Sequence, residues 1–184
     1  MPLQSADKLR HKAVDNSRHK QRRRNGRGIL ALLLLLLLNA NAAGQTYLRV
    51  RWVADGDTII LEDGRHIRYL GINAPETSHN GKPADPFGNA ARRYNRQLVA
   101  KQEVRLEFDQ ERQDQYGRWL AHVHRRDGLW VNQAMVEKGL AIFLYTPKNR
   151  THGHTLLRAQ REAMRKRAGL WQPGPNAAFG QGRY

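Results

Sequence analysis

Residues 58–72 read Thr58-Ile59-Ile60-Leu61, then Glu62-Asp63-Gly64-Arg65, then His66 through Ile72. No other feature narrows the fold as much. Two apolar runs joined by an Asp-Gly step predict an antiparallel hairpin, because glycine enters the left-handed turn conformation without strain. One hairpin is marginal in water, so further strands must cover it. Upstream, Leu48, Val50, Trp52 and Ala54 alternate with polar or charged neighbours, as a half-buried strand does. Downstream, Val104, Leu106 and Phe108 alternate likewise, and Trp119 through His124 makes a fifth run. Pro75 blocks continuation of the third run, and residues 77–88, rich in Ser, Asn, Gly, Pro and Asp, read as a loop.

Helical spacing fills the rest. Asn89 to Lys101 places Ala91, Tyr94 and Leu98 on one face, and a short helix runs from near Asn132 to Gly139. A last helix from Thr151 to Arg167 repeats Leu157, Gln160 and Met164 at three- and four-residue steps, with Gly169 ending it and Trp171 free to pack back. Five short strands with a helix between the third and fourth, then terminal helices, predict an α+β fold, a five-stranded OB-fold β-barrel with three α-helices.

The 184 residues are a single-domain length, and the sequence carries a net charge of +16 with a pI near 11.0. Residues 1–42 hold nine Lys/Arg against two Asp/Glu, and the remainder holds 23 against 14. The body is therefore still basic at +9 once the leader is set aside. Such a surface favours a polyanion, since each phosphate contact releases counterions. There is no cysteine, which excludes disulfides, thiolate metal sites and cysteine nucleophiles.

The leader ends in Arg22, Arg23, Arg24 and Arg27, followed by ten apolar residues from Ile29 to Leu38 and the small residues Ala40, Ala42 and Ala43. A basic stretch, a short apolar stretch and an A-x-A site predict a secretory signal peptide cleaved near Ala42. Ten residues span only about 15 Å as a helix, half a bilayer core, so a membrane anchor is the alternative expectation. The domain plan is a leader over 1–43, a folded body over 44–172 and a disordered tail over 173–184. The expected location is periplasmic or extracellular.

Three clusters carry chemistry. Asp55-Gly56-Asp57-Thr58 joins two strands; Arg68 through Thr77 runs out of the third strand past Asn73, Ala74, Pro75 and Glu76; Asp114-Gln115-Tyr116-Gly117-Arg118 opens the fifth. Alone, each also fits an ordinary turn, strand exit or solvated charge. Together they offer hard oxygen ligands (Asp57, Asn73, Glu76) and two arginines, with no H-E-x-x-H pair. Oxygen-only ligation suits calcium or magnesium. Phosphodiester cleavage needs an activated water, a cation on the phosphate and donors for the extra transition-state charge, and such residues supply all three.

V-A-D-G-D-T at 53–58, I-R-Y-L-G-I-N-A-P-E-T at 67–77, D-Q-Y-G-R at 114–118 and V-N-Q-A-M-V-E-K-G-L-A at 131–141 resemble, in order and spacing, the staphylococcal-nuclease (thermonuclease) family. The similarity runs from about Val50 to Trp171. It implies the same barrel with three helices, and an endonuclease that needs one Ca²⁺ and hydrolyses DNA and RNA to 5′-hydroxyl and 3′-phosphate ends. It further implies Asp57 as a carboxylate ligand, Ala74 as a carbonyl ligand, Glu76 as the residue holding and deprotonating water, and Arg68 and Arg118 on the phosphate. Tyr116 and Tyr145 would lie near the nucleotide. Asn73 stands where the family places a calcium-ligating aspartate; its amide oxygen can still ligate, with one negative charge fewer. A monomer with no obligate protein partner, touching membrane only during export, is expected. The rival expectation is a catalytically impaired OB module that only binds nucleic acid.

Other residues take ordinary roles. His122 and His124 share a strand face, His152 and His154 sit exposed at a helix start, Arg158, Arg161, Arg165, Lys166 and Arg167 form a wet helix side, and Trp52, Trp119 and Trp130 pack in or at the edge of the core.

Overall fold

The computed structural model describes residues 46–78 and 81–173. The leader and all of the tail beyond Pro173 lie outside the described residues. Strands β1 (Leu48–Val53), β2 (Thr58–Leu61), β3 (His66–Tyr69), β5 (Glu103–Glu107) and β6 (Trp119–Arg125) close a barrel in the order β1-β2-β3-β6-β5. A two-stranded sheet pairs β4 (Ile72–Asn73) with β7 (Ile142–Phe143). Three helices accompany them, α1 (Gly88–Val99), α2 (Val131–Glu137) and α3 (Gly153–Arg165), followed by a 3₁₀ turn at Gly169–Trp171. This is the expected α+β OB barrel.

The β2–β3 hairpin forms as its sequence demands, with Ile59 opposite Ile67 and Gly64 at φ 86° in the turn. The closing pair is parallel, Ile67 beside Trp119 and Arg68 beside Leu120. A parallel neighbour needs a long crossover, and the segment holding α1 and β5 provides it. Inward side chains Ile59, Leu61, Ile67, Val104, Ala121 and Val123 are fully buried, and α2 and α3 add Val131, Met135 and Leu156. Burying each aliphatic side chain of this size contributes about 1.5–3 kcal/mol. Among the described residues no helix is long and apolar enough to cross a membrane.

Four local expectations fail for identifiable reasons. In β1 the register shifts between Val50 and Trp52, so Val53 turns inward and Trp52 stands 51% exposed; a bulge breaks simple alternation. The third strand ends at Tyr69, not Ile72, because Gly71 adopts φ 70° and Ile72 leaves to pair with Phe143. In α1, Asn95 is buried beside Ala91 and Leu98, while Tyr94 is only partly covered. The buried face of α3 is Leu156, Ala159, Gln160 and Ala163, with Met164 exposed. Two alanines carry that face, and their small apolar weight hid it.

Two glycines fix the approach of segments near the site. A Cβ on Gly56 would sit 2.5 Å from the Ala74 Cβ and 2.8 Å from the Ala91 Cβ; one on Gly88 would sit 2.0 Å from the Glu76 carbonyl oxygen. Only glycine lets these backbones meet.

Candidate active site

The Asp-Gly-Asp turn between β1 and β2 sets the first carboxylate. Asp55 Oδ1 accepts the Asp57 N–H at 3.0 Å, a side-chain turn typical of Asp. Asn95 Nδ2 donates to the Asp55 carbonyl at 3.0 Å, while the buried Tyr69 hydroxyl donates to Asn95 Oδ1 at 2.9 Å. Core and turn are thus tied together. Asp57 itself is nearly buried: its Oδ1 accepts from the Thr58 hydroxyl at 3.1 Å and its Oδ2 from the Ala74 N–H at 2.7 Å.

Arg68, on the outer side of β3, completes the cluster. Its Nη2 lies 3.0 Å from Asp57 Oδ2 and donates to Asn73 Oδ1 at 2.9 Å. Its Nη1 donates to the carbonyls of Tyr69 and Ile72 at 2.9 and 2.8 Å. Burial pushes the Asp57 carboxyl up to about 7, against the opposing pull of Arg68 and with a further upward push from Asp55. Glu76 follows on the exposed exit, with its backbone held both ways by Asp85: Asp85 Oδ2 accepts its N–H at 3.1 Å, and its carbonyl accepts the Asp85 N–H at 3.0 Å.

The residues fit a hard cation. Asp57 Oδ2 and Asn73 Oδ1 converge on one positively charged nitrogen, and among the described residues no sulfur or imidazole joins them. Among the described residues no three His, Cys, Asp or Glu side chains gather as a metal cluster.

Arg118 immediately precedes β6, and strand alternation sends it to the outer side of the β3–β6 pair, as it does Arg68. Its Nε donates to Asp114 Oδ2 at 2.7 Å, and Asp114 Oδ1 accepts the N–H groups of Tyr116 and Arg118 at 3.0 and 2.9 Å. Partial burial raises the Asp114 carboxyl, but these hydrogen bonds outweigh it and hold the group below the usual carboxylate range. Tyr116 is 75% exposed, with the Arg118 guanidinium 5.6 Å from its ring centroid. Both line an open cleft with Asp63, Gly64, Arg65, His66 and Trp119.

Tyr145, also exposed, lines a different cavity of about 260 Å³ with His122, Phe143, His152 and Leu156. The structure thus joins Asp57, Arg68, Asn73 and Ala74 directly, places Glu76 two residues beyond, sets Arg118 and Tyr116 together in a cleft, and gives Tyr145 a separate pocket. Sequence reasoning missed the supporting roles of Thr58, Asp55, Asp85 and Asn95. The Asp-x-Asp spacing signalled the Asp55 turn; Asp85 and Asn95 act across chain distances that local pattern does not reveal.

The histidines also depart from their expected roles. His124 and His152 bond the two oxygens of Glu107 at 2.9 and 2.7 Å, and the His122 ring lies 4.6 Å from that of His152. Burial, with His152 nearby, pushes His122 down to about 4. His152 is therefore partly buried and bonded; His154 is exposed as expected.

Barrel and cluster together define the class: an OB-fold protein whose rim holds carboxylate, amide and guanidinium groups in contact. Residues 66–173 match the family model described as staphylococcal nuclease homologue. The chain is 36% identical over 137 residues to the thermonuclease of Staphylococcus intermedius, covering 73% of this chain and 80% of that protein. To the thermonuclease of Staphylococcus hyicus it is 34% identical over 135 residues, with 72% and 79% covered. To endonuclease YncB of Bacillus subtilis (strain 168) it is 35% identical over 123 residues, with 64% and 57% covered. The chain belongs to the staphylococcal nuclease family.

Proposed function

We propose that this member of a nuclease family is an exported, calcium-dependent endonuclease cleaving DNA and RNA. The observation that carries it is the convergence of Asp57 Oδ2, Asn73 Oδ1 and the Arg68 guanidinium at one point of the barrel rim, beside the exit bearing Glu76.

Asp57, Asn73 and the Ala74 carbonyl would hold the ion. When bound, Ca²⁺ supplies positive charge to the phosphate and lowers the pKa of water. Glu76 takes a proton from the attacking water as its oxygen bonds to phosphorus. Arg118 donates to the phosphate oxygens as charge builds, joined by Arg68 once it exchanges one of its protein acceptors for phosphate. The bond from phosphorus to the 5′ oxygen breaks, that oxygen takes a proton from solvent, and a 5′-hydroxyl and a 3′-phosphate result. Tyr116, exposed beside Arg118, offers its ring to the nucleotide, and Tyr145 would do so only for a strand long enough to reach its separate cavity.

The basic, apolar and small-residue order of residues 1–43 supports export with cleavage near Ala42, leaving 44–172 as the working domain. N-terminal sequencing of the secreted protein tests this, with a start near Ala43 expected. For the activity, single-stranded DNA is incubated with calcium and then with EGTA. Cutting in the first and none in the second is expected, and strand binding without calcium-dependent cutting would return the domain to a pure binding module.

A further inference from the structure

Trp52 is 51% exposed, unlike the three other tryptophans, which are at least partly packed. It is turned out by the bulge in β1 and stands against α1, where the Arg92 guanidinium lies 5.3 Å and the Arg96 guanidinium 6.0 Å from its ring centroid. Arg92 Nε is braced on the Val53 carbonyl at 3.3 Å. Among the described residues neither arginine forms an ion pair with a carboxylate, whereas Arg49, Arg65, Arg118, Arg125 and Arg165 each do. A half-exposed indole whose ring carries two guanidinium groups over it, neither paired with a carboxylate, matches the chemistry of a nucleic-acid strand: the uncovered part of the ring suits a base and the guanidinium groups suit its phosphates.

The position matches as well. Trp52 lies three residues before the Asp55 turn, and Arg92 and Arg96 flank Asn95, which holds the Asp55 carbonyl. The other end of α1 begins at Gly88, pressed against the Glu76 carbonyl. One rigid helix therefore connects this patch to the segments bearing Asp57 and Glu76.

Resting on the nuclease reading above, we infer that Trp52, Arg92 and Arg96 form an additional subsite for single-stranded nucleic acid, in which an unpaired base of the strand stacks on Trp52 while the two arginines hold the adjoining phosphates. Duplex bases are already stacked on their neighbours, so the subsite selects single strands.

Affinity is read with cleavage silenced by Glu76→Gln, and cleavage is read in the otherwise native protein. Trp52→Ala weakens binding of a long single strand by about tenfold, the effect of losing one stacked base, and Trp52→Phe restores most of it. In cleavage, Trp52→Ala lowers kcat/KM about tenfold more on the long strand than on a dinucleotide. Duplex affinity shows no such dependence. Replacing Arg92 and Arg96 by Ala reduces the salt dependence of strand binding by about one unit of slope each. Equal affinity of Trp52→Ala and the parent for the long strand, or equal losses on long strand and dinucleotide, overturns the subsite. Trp52-dependent binding by a protein that never cuts leaves the subsite standing and removes the nuclease reading; normal cutting indifferent to Trp52 does the reverse.

Discussion

Arg68 and Arg118 leave paired strands on the same outer side of the barrel, yet their surroundings differ. The Arg68 side chain is 13% exposed and gives its terminal nitrogens to Asp57, Asn73 and two backbone carbonyls. The Arg118 side chain is 34% exposed, and its one described side-chain hydrogen bond is to Asp114. A guanidinium fully engaged in a nearly buried cluster is part of the fold as well as of the site. One held by a single carboxylate at a cleft mouth keeps donors in reserve for a ligand. On the proposed reading, the same residue type on two paired strands is divided between building a site and using it.

Breaking the pair at Arg68 is expected to give the largest effect. Above pH 7, where Asp57 is ionised, Arg68→Ala leaves its carboxylate, 8% exposed, without its counter-charge, and removing one partner of a buried pair costs up to about 3–5 kcal/mol. Denaturant unfolding in EGTA should show that loss, and a separate assay with calcium should show loss of cutting; unfolding identical to the parent would mean that Arg68 is not part of the fold. Arg118→Ala should do the opposite. Stability stays within about 1 kcal/mol, because the lost Asp114 pair is partly exposed, while cleavage falls about 100- to 1000-fold, as for removal of one transition-state donor. If Arg118→Ala unfolds the protein as Arg68→Ala does, the division between the two arginines disappears.

How much of this contrast was legible in the sequence follows from the range of each interaction. The hairpin at Asp63-Gly64 and the order of strands and helices were legible, because each rests on short-range spacing. The gathering of Asp57, Arg68 and Asn73 was legible only as a family resemblance, since a hairpin and a strand exit alone also fit an inert turn. The outward turn of Trp52 was not legible: a bulge depends on how β1 pairs with β2, not on the alternation of β1 itself. Nor was the bonded state of His152, whose partner Glu107 sits on a distant strand. Patterns within an element were readable; partners across elements were not.

Proton competition sharpens the contrast next. Asp57 has a folded-state pKa of about 7, raised chiefly by burial, against an ordinary value of 3.8. Such a group contributes stability that is fully present below 3.8 and is lost as pH rises through about 7. Without calcium, the protein should therefore be less stable at pH 8 than at pH 5 as far as Asp57 decides. Calcium binding needs the ionised form, so affinity should fall by up to about tenfold per pH unit below 7 and level off above it. Titration calorimetry across this range checks both limbs, and an affinity flat from pH 5 to 8 would remove Asp57 from the ligand set.

The smallest effect is expected at Asn73, and it discriminates most finely. Asn73 Oδ1 already meets the Arg68 nitrogen that faces Asp57, so Asn73→Asp keeps the geometry and adds one negative charge at the same point. In the metal-free protein the new carboxylate pairs with Arg68 but repels Asp57, and the two effects oppose each other, so stability should change little. With calcium the repulsion is relieved and the extra charge acts on the ion. Calcium affinity should then rise by about tenfold, or 1.4 kcal/mol, with a steeper decline toward low pH because two carboxylates must lose their protons together. An unchanged affinity combined with altered stability would place Asn73 on the Arg68 side of the cluster alone, as a prop for the guanidinium and not a ligand.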